Sequence, residues 1–189
     1  VDAQITTRAD GVVVNTFQAA DPDFVGAPPP ERGADIAEMI IQVLKGKEAV
    51  ERLMSRYTRL SPASRLPAPR QATEVQIDNE TCDRSTIVDV FAEDTQGLLY
   101  AITHSIFNLG LSVQAARIST RLDDDVQQSL RTGGRHQVAD VFYVTDQQGA
   151  KLEDPARLEA IRATVKQDID LFMDRQVGTA DGIVIGSAS

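Results

Sequence analysis

Apolar and polar positions along the second half of the chain switch between two periods, and the switches mark out an ordered set of elements. From Ser85 to Ala92, Thr86, Val88, Val90 and Ala92 share one face, and Ile87, Asp89 and Phe91 share the other. That period of two predicts a strand. From about Gly97 to Leu109 the period lengthens: Leu98, Ile102, Ile106 and Leu109 form one stripe of a helix, and Gly110 stands where helices commonly end. Asp94 or Thr95 is placed to cap its first turn. Ser112–Thr120 and Arg135–Thr145 read as two further strands around a polar hairpin tip at Asp123–Gly134. Asp154-Pro155 opens a helix, with the acid as cap and proline in the first turn. Leu158, Ile161, Val165, Ile169 and Phe172 then lie on one face, and Ile183-Val184-Ile185 after Asp181-Gly182 reads as a last strand. The order β-α-β-β-α-β predicts an α+β, ferredoxin-like fold, a four-stranded antiparallel sheet with both helices on one face.

The first half repeats part of this order. Residues 1–7 and 12–20 read as strands around Asp10-Gly11, a strong hairpin-turn signal. A helix follows over about 31–45, with Ile36, Ile40, Val43 and Leu44 in one stripe and Gly46 at its end. A second helix is expected over 48–58, a linker with three prolines over 61–70, and a short strand over 73–78. The repetition is visible in the letters. Ala3-Gln4-Ile5-Thr6-Thr7-Arg8 returns 113 positions on as Ala116-Arg117-Ile118-Ser119-Thr120-Arg121. Thr16–Asp21 returns 125 positions on as Val141–Asp146, and Ile36, Ile40 and Leu44 map at that offset onto Ile161, Val165 and Ile169. A fixed-offset series of this kind predicts two units of common design. The expected division is a partial copy over 1–78, lacking its opening strand and helix, and a complete copy over 85–189. On this reading the natural chain begins upstream of Val1, and the partial copy exposes apolar surface from Ile5, Val13 and Ile40.

Composition narrows the classes. The 189 residues carry a net charge of −9 with 42% hydrophobic and 25% charged residues. That excess of acid argues against nucleic acid or an anionic membrane surface as partner. No run is long and apolar enough for a transmembrane helix. Cys82, the single cysteine, excludes an internal disulfide and suits a reducing, cytoplasmic compartment.

With those elements in place the chain resembles the ACT domain family, small ligand-sensing modules of the same topology. The resemblance covers most of 1–45 and 73–186. More narrowly, it is similar to the tandem ACT region of the bifunctional uridylyltransferase and uridylyl-removing enzymes that modify the PII nitrogen-signalling protein. Asp2–Gly11 with Asn15–Gln18 look like the first module's hairpin, and Thr73-Glu74-Val75 with Asp83–Thr86 like the junction between modules. Ala92-Glu93-Asp94-Thr95-Gln96-Gly97-Leu98-Leu99 looks like the second module's ligand loop, and Ala115–Thr120 and Val138–Asp146 like its next two strands. Two departures stand out: Gln96 where the family's loop often has proline, and about a dozen extra residues between Arg121 and Arg135.

The resemblance implies a site and partners. A helix N-terminus offers unpaired N–H groups and partial positive charge, which suits a carboxylate. Asp94, Thr95, Gln96, Gly97 and Leu98 form that expected ligand-binding loop, with Asp94 toward an amino group. The resemblance places the ligand between this loop and the second strand of a paired module, and Arg117 on that strand is a further candidate, facing a ligand carboxylate or the partner sheet. An amino acid, glutamine by resemblance, is the implied effector. Upstream catalytic domains and the PII protein are the implied partners through a parent enzyme, and ACT–ACT pairing is expected. A stand-alone tandem ACT regulator or dimerisation protein is the alternative. No catalytic constellation, cofactor or metal is expected in this stretch: His104 and His136 lack ligand spacing, Cys82 lacks an adjacent base, and Asp123-Asp124-Asp125 reads as a solvated loop.

Overall fold

The protein is described from a computed structural model. The described residues are 2–7, 12–18, 24, 26–57, 72–118, 120–121 and 137–180. They fall into two compact units, one drawn from 1–18 and 61–189, the other from 19–60.

The larger unit is an antiparallel sheet backed by two helices. Its strands are β3 (Glu74–Asp78), β4 (Thr86–Glu93), β5 (Leu111–Arg117), the two-residue β6 (Thr120–Arg121) and β7 (Gln137–Asp146), in the order β3-β4-β7-β5 with β6 on β7. The helices are α3 (Leu98–Asn108) and α4 (Pro155–Ala180). The period of two along β4 places Thr86, Val88, Val90 and Ala92 in the core, fully out of solvent. Val138, Phe142 and Val144 of β7 share that face. Against it pack Leu98, Ile102 and Ile106 of α3 and Ile161, Val165, Ile169 and Met173 of α4. Each such buried side chain contributes about 1.5–3 kcal/mol. The Ser105 hydroxyl donates to Asp168 Oδ2 at 2.6 Å and ties the two helices. The hairpin β1 (Asp2–Thr7) and β2 (Val13–Gln18) is antiparallel, and β1 lies beside β5.

The α+β ferredoxin-like class therefore stands. One strand sits elsewhere than expected. Glu74–Asp78, read as the end of the first copy, pairs antiparallel with β4, from Glu74 opposite Phe91 to Asp78 opposite Ile87. The reason is local: a short connection returns the chain directly into β4, and strands adjacent in sequence usually pair. Val75 is buried there against the core. The segment 183–185, expected as the last strand, lies outside the described residues, as do the hairpin tip at 123–134 and the linker at 61–70. The strand expected over 112–120 is interrupted. Its register shifts between Val113 and Ala115, it leaves the ladder after Arg117, and Thr120–Arg121 rejoins it.

A polar clasp fixes β3 in its slot. Asn79 Nδ2 donates to the Leu152 carbonyl at 2.6 Å, and Asn79 Oδ1 accepts from the Thr86 hydroxyl at 2.7 Å. Thr86 Oγ1 in turn accepts from the Leu152 N–H at 3.3 Å. Lys151 Nζ donates to the carbonyls of Asn79 and Cys82 at 2.7 and 2.6 Å. The clasp joins the β3–β4 turn to the segment leading into α4. Asp154 caps that helix as expected, its Oδ1 accepting from the Ala156 N–H at 3.0 Å.

The smaller unit contains α1 (Pro30–Leu44) and α2 (Val50–Tyr57). Pro30 starts α1 and Gly46, at φ +66°, closes it with its N–H on the Val43 carbonyl. No residue of α1 is buried. Ile36, Ile40 and Leu44 are 42%, 52% and 80% exposed. The exposed apolar surface expected at Ile40 is thus present; the Ile5 and Val13 side chains lie outside the described residues.

Candidate functional site

The loop between β4 and α3 is built by a strand that ends at Glu93 and a helix that cannot start before a left-handed residue. Gly97 has φ +90° and stands at the N-cap position. Glycine takes that conformation without the Cβ clash other residues meet. No side chain caps the helix, so the capping expected from Asp94 or Thr95 is not realised. The turn is closed by backbone instead: the Leu98 N–H donates to the Thr95 carbonyl at 2.9 Å, and the Ala101 N–H to the Gly97 carbonyl at 3.0 Å. This tight turn leaves the Asp94 and Gln96 side chains exposed, Thr95 and Gly97 half-buried, and Leu98 in the core. Leu98 thus anchors the loop, and Asp94 faces water.

Arg117 lies away from this loop. It stands on β5 opposite Val141 of β7, which is itself opposite Asp89 of β4. The loop begins beyond Glu93, in the row of Gln137 and Arg121. Arg117 is therefore two strands across and four residues down, roughly 10 Å by 13 Å from strand geometry. Ala116 is buried with Phe142, so Arg117 projects from the face opposite α3 and α4, where it is exposed. The structure gathers Asp94–Leu98 and leaves Arg117 outside their reach within this unit.

The remaining candidates follow their environments. His104 is exposed on α3, its ring 5.5 Å from that of Tyr100 and its Nδ1 3.2 Å from Asn108 Nδ2. Cys82 is a half-buried free thiol. No group of three or more metal-ligating side chains occurs among the described residues. His136 and Asp123–Asp125 lie outside them. Two carboxyl groups are shifted. The Thr81 hydroxyl, with the N–H groups of Thr81 and Glu80, holds Asp78 below the usual carboxylate value. Burial, and then the charge of Asp78, pushes Asp89 above it.

Sequence reasoning missed the clasp and a depression of about 400 Å³ beside it, lined by Asp146, Lys151, Leu152, Glu153, Asp154 and Arg157 among others. Its central charges are occupied: Lys151 by two carbonyls, and Asp146 by the N–H groups of Gln148 and Ala150. No spacing rule finds such a cluster, because Asn79 and Lys151 meet only through the sheet.

Fold and loop together define an α+β module with the hairpin β1–β2 beside its β5 strand. The chain is similar to bifunctional uridylyltransferase/uridylyl-removing enzymes. It is 30% identical over 165 residues to that of Gluconobacter oxydans and 34% identical over 165 residues to that of Bradyrhizobium diazoefficiens, covering 87% of this chain and 16% of each relative. The enzyme of Rhodospirillum rubrum is 30% identical over 179 residues, covering 94% of this chain and 17% of that protein. The chain thus spans about one-sixth of the length of these relatives, and the resemblance drawn from the residues alone is matched. No family model and no solved structure matches the chain. No helix among the described residues is long and apolar enough to cross a membrane.

Proposed function

We propose that this chain is a tandem ACT regulatory region of a bifunctional uridylyltransferase/uridylyl-removing enzyme, sensing an amino acid and adjusting the parent's catalytic domains. One observation carries the reading: strand β1, which holds most of the first occurrence of the repeated sequence, lies beside β5, where the second occurrence, Ala116–Arg121, begins. Two copies of one design that meet at these strands would suit a ligand that stabilises one packing over another. The similarity over 87% of this chain supports a bifunctional uridylyltransferase/uridylyl-removing enzyme as the parent. Glutamine is the proposed effector and the PII protein the proposed substrate of the whole enzyme.

The ligand's place is the turn Asp94–Leu98. The backbone at Gly97 lets a ligand approach closely, α3 presents its positive end to a carboxylate, and the exposed Asp94 carboxylate suits an amino group. Regulation requires that the ligand bind two packings with different affinity; equal binding would transmit nothing. Titrating the ligand-free chain with glutamine in a calorimeter should give saturable heat, with hydrogen exchange slowed at 94–98. Absence of both defeats the sensing role.

A further inference from the structure

The sheet has a second face, turned away from α3 and α4. Across it runs a row with Asp89 on β4, Val141 on β7 and Arg117 on β5, continued by the exposed Gln76 of β3 beside Asp89. Around the row stand Phe91, Ala139, Tyr143 and Ala115, all half-buried and predominantly apolar. Neither Asp89 nor Arg117 has an ion pair among the described residues. An acid half-buried on an apolar face, with no counter-ion among the described residues and a like charge at Asp78 nearby, is an unfavourable arrangement in an isolated unit.

We propose that this face is an interface between two copies of the chain, packed sheet to sheet about a two-fold axis that runs along β7 over Val141. The argument is one of charge and symmetry. Asp89 and Arg117 flank Val141 at equal spacing, one strand to each side, so their positions exchange under that rotation. Sheets stacked about 10 Å apart in aligned packing then bring each Asp89 over the partner copy's Arg117 and Val141 over its own equivalent. Both charges find opposite partners twice, and the apolar side chains around them leave water. A two-fold axis perpendicular to the strands would instead set Asp89 against Asp89, so the row selects one orientation. This interface uses the sheet's outer face and is distinct from the contact of β1 with β5.

Sedimentation of the 189-residue chain over a concentration series tests it. The wild type should form a dimer with rising concentration. Asp89→Arg and Arg117→Asp should each weaken that dimer roughly tenfold or more, since each places like charges together twice. The double exchange should restore it. Circular dichroism and melting check the fold of each variant; should a reversal fail to fold, Asp89→Asn and Arg117→Gln replace it and should each still weaken association. A wild type that stays monomeric overturns the proposal and leaves this face to another occupant. A dimer indifferent to the substitutions, or folded variants whose double exchange shows no recovery, also overturns it.

Discussion

The helices α1 and α4 occupy matching places in the repeat, and their stripes align residue for residue at one offset. Ile161, Val165 and Ile169 of α4 are 2%, 0% and 0% exposed, whereas Ile36, Ile40 and Leu44 of α1 are 42%, 52% and 80% exposed. Nearly the same letters therefore have opposite fates. In the second copy the stripe meets the even-numbered face of β4 and β7 and the stripe of α3. Helix periodicity states only that a face is apolar; whether that face is covered depends on the elements available to cover it.

Matched substitutions sharpen this contrast most. Ile161→Ala should cost about 2–5 kcal/mol in chemical denaturation, because it opens a cavity in a closed core. Ile36→Ala, its counterpart, should change stability by less than about 0.5 kcal/mol, as at other surface positions. Equal effects would break the comparison. Limited proteolysis reads the same difference without mutation: the first cuts should fall before residue 60, and equal resistance of 1–60 and 85–175 would count against it.

The clasp comes next in size. Thr86 is buried, and its hydroxyl serves both Asn79 and Leu152. Thr86→Val should cost about 1–3 kcal/mol, since it leaves buried polar partners unsatisfied, and exchange in Glu74–Asp78 should rise first. The glycines that end α1 and α3 give a smaller test. Gly46 and Gly110 both lie near φ +70°, so alanine at either should cost about 1–2 kcal/mol. A Cβ at Gly110 would also meet the Gln147 side chain at 3.4 Å, whereas one at Gly46 meets nothing, so Gly110→Ala should melt the lower of the two.

The smallest expected effect is a pH dependence. The folded-state pKa of Asp78 is lowered by the Thr81 and Glu80 hydrogen bonds. Its contribution is therefore present above the unfolded carboxylate value and lost as pH falls through the folded one. Asp78→Asn should flatten the acid limb of the stability curve of the larger unit, with no change in slope near neutrality.

Much of the second copy was legible before any coordinates. The alternation along Thr86–Ala92, the stripe Leu98–Ile106, the Asp154-Pro155 start and the Gly110 stop all appear where the letters place them, because each follows from a local rule of period, cap or positive φ. The turn at Asp94–Leu98 was legible as a segment but not in its mechanics. A side-chain cap was expected, yet Gly97 turns the backbone so that carbonyls do that work. Arg117 was grouped with the turn through the family resemblance, and only register shows that within one unit it stands on the sheet face turned away from the helices.

By itself the sequence determined the α+β class and the faces of individual strands and helices, since periodicity and turn chemistry act over a few residues. Tertiary structure alone decided that Glu74–Asp78 joins β4, that Asn79 and Lys151 form one clasp, and that Asp89, Val141 and Arg117 share a row. The clasp and the row rest on contacts between segments far apart in the chain, and a one-residue change of register, invisible in composition or spacing, would have turned the strand side chains of the row to the opposite face.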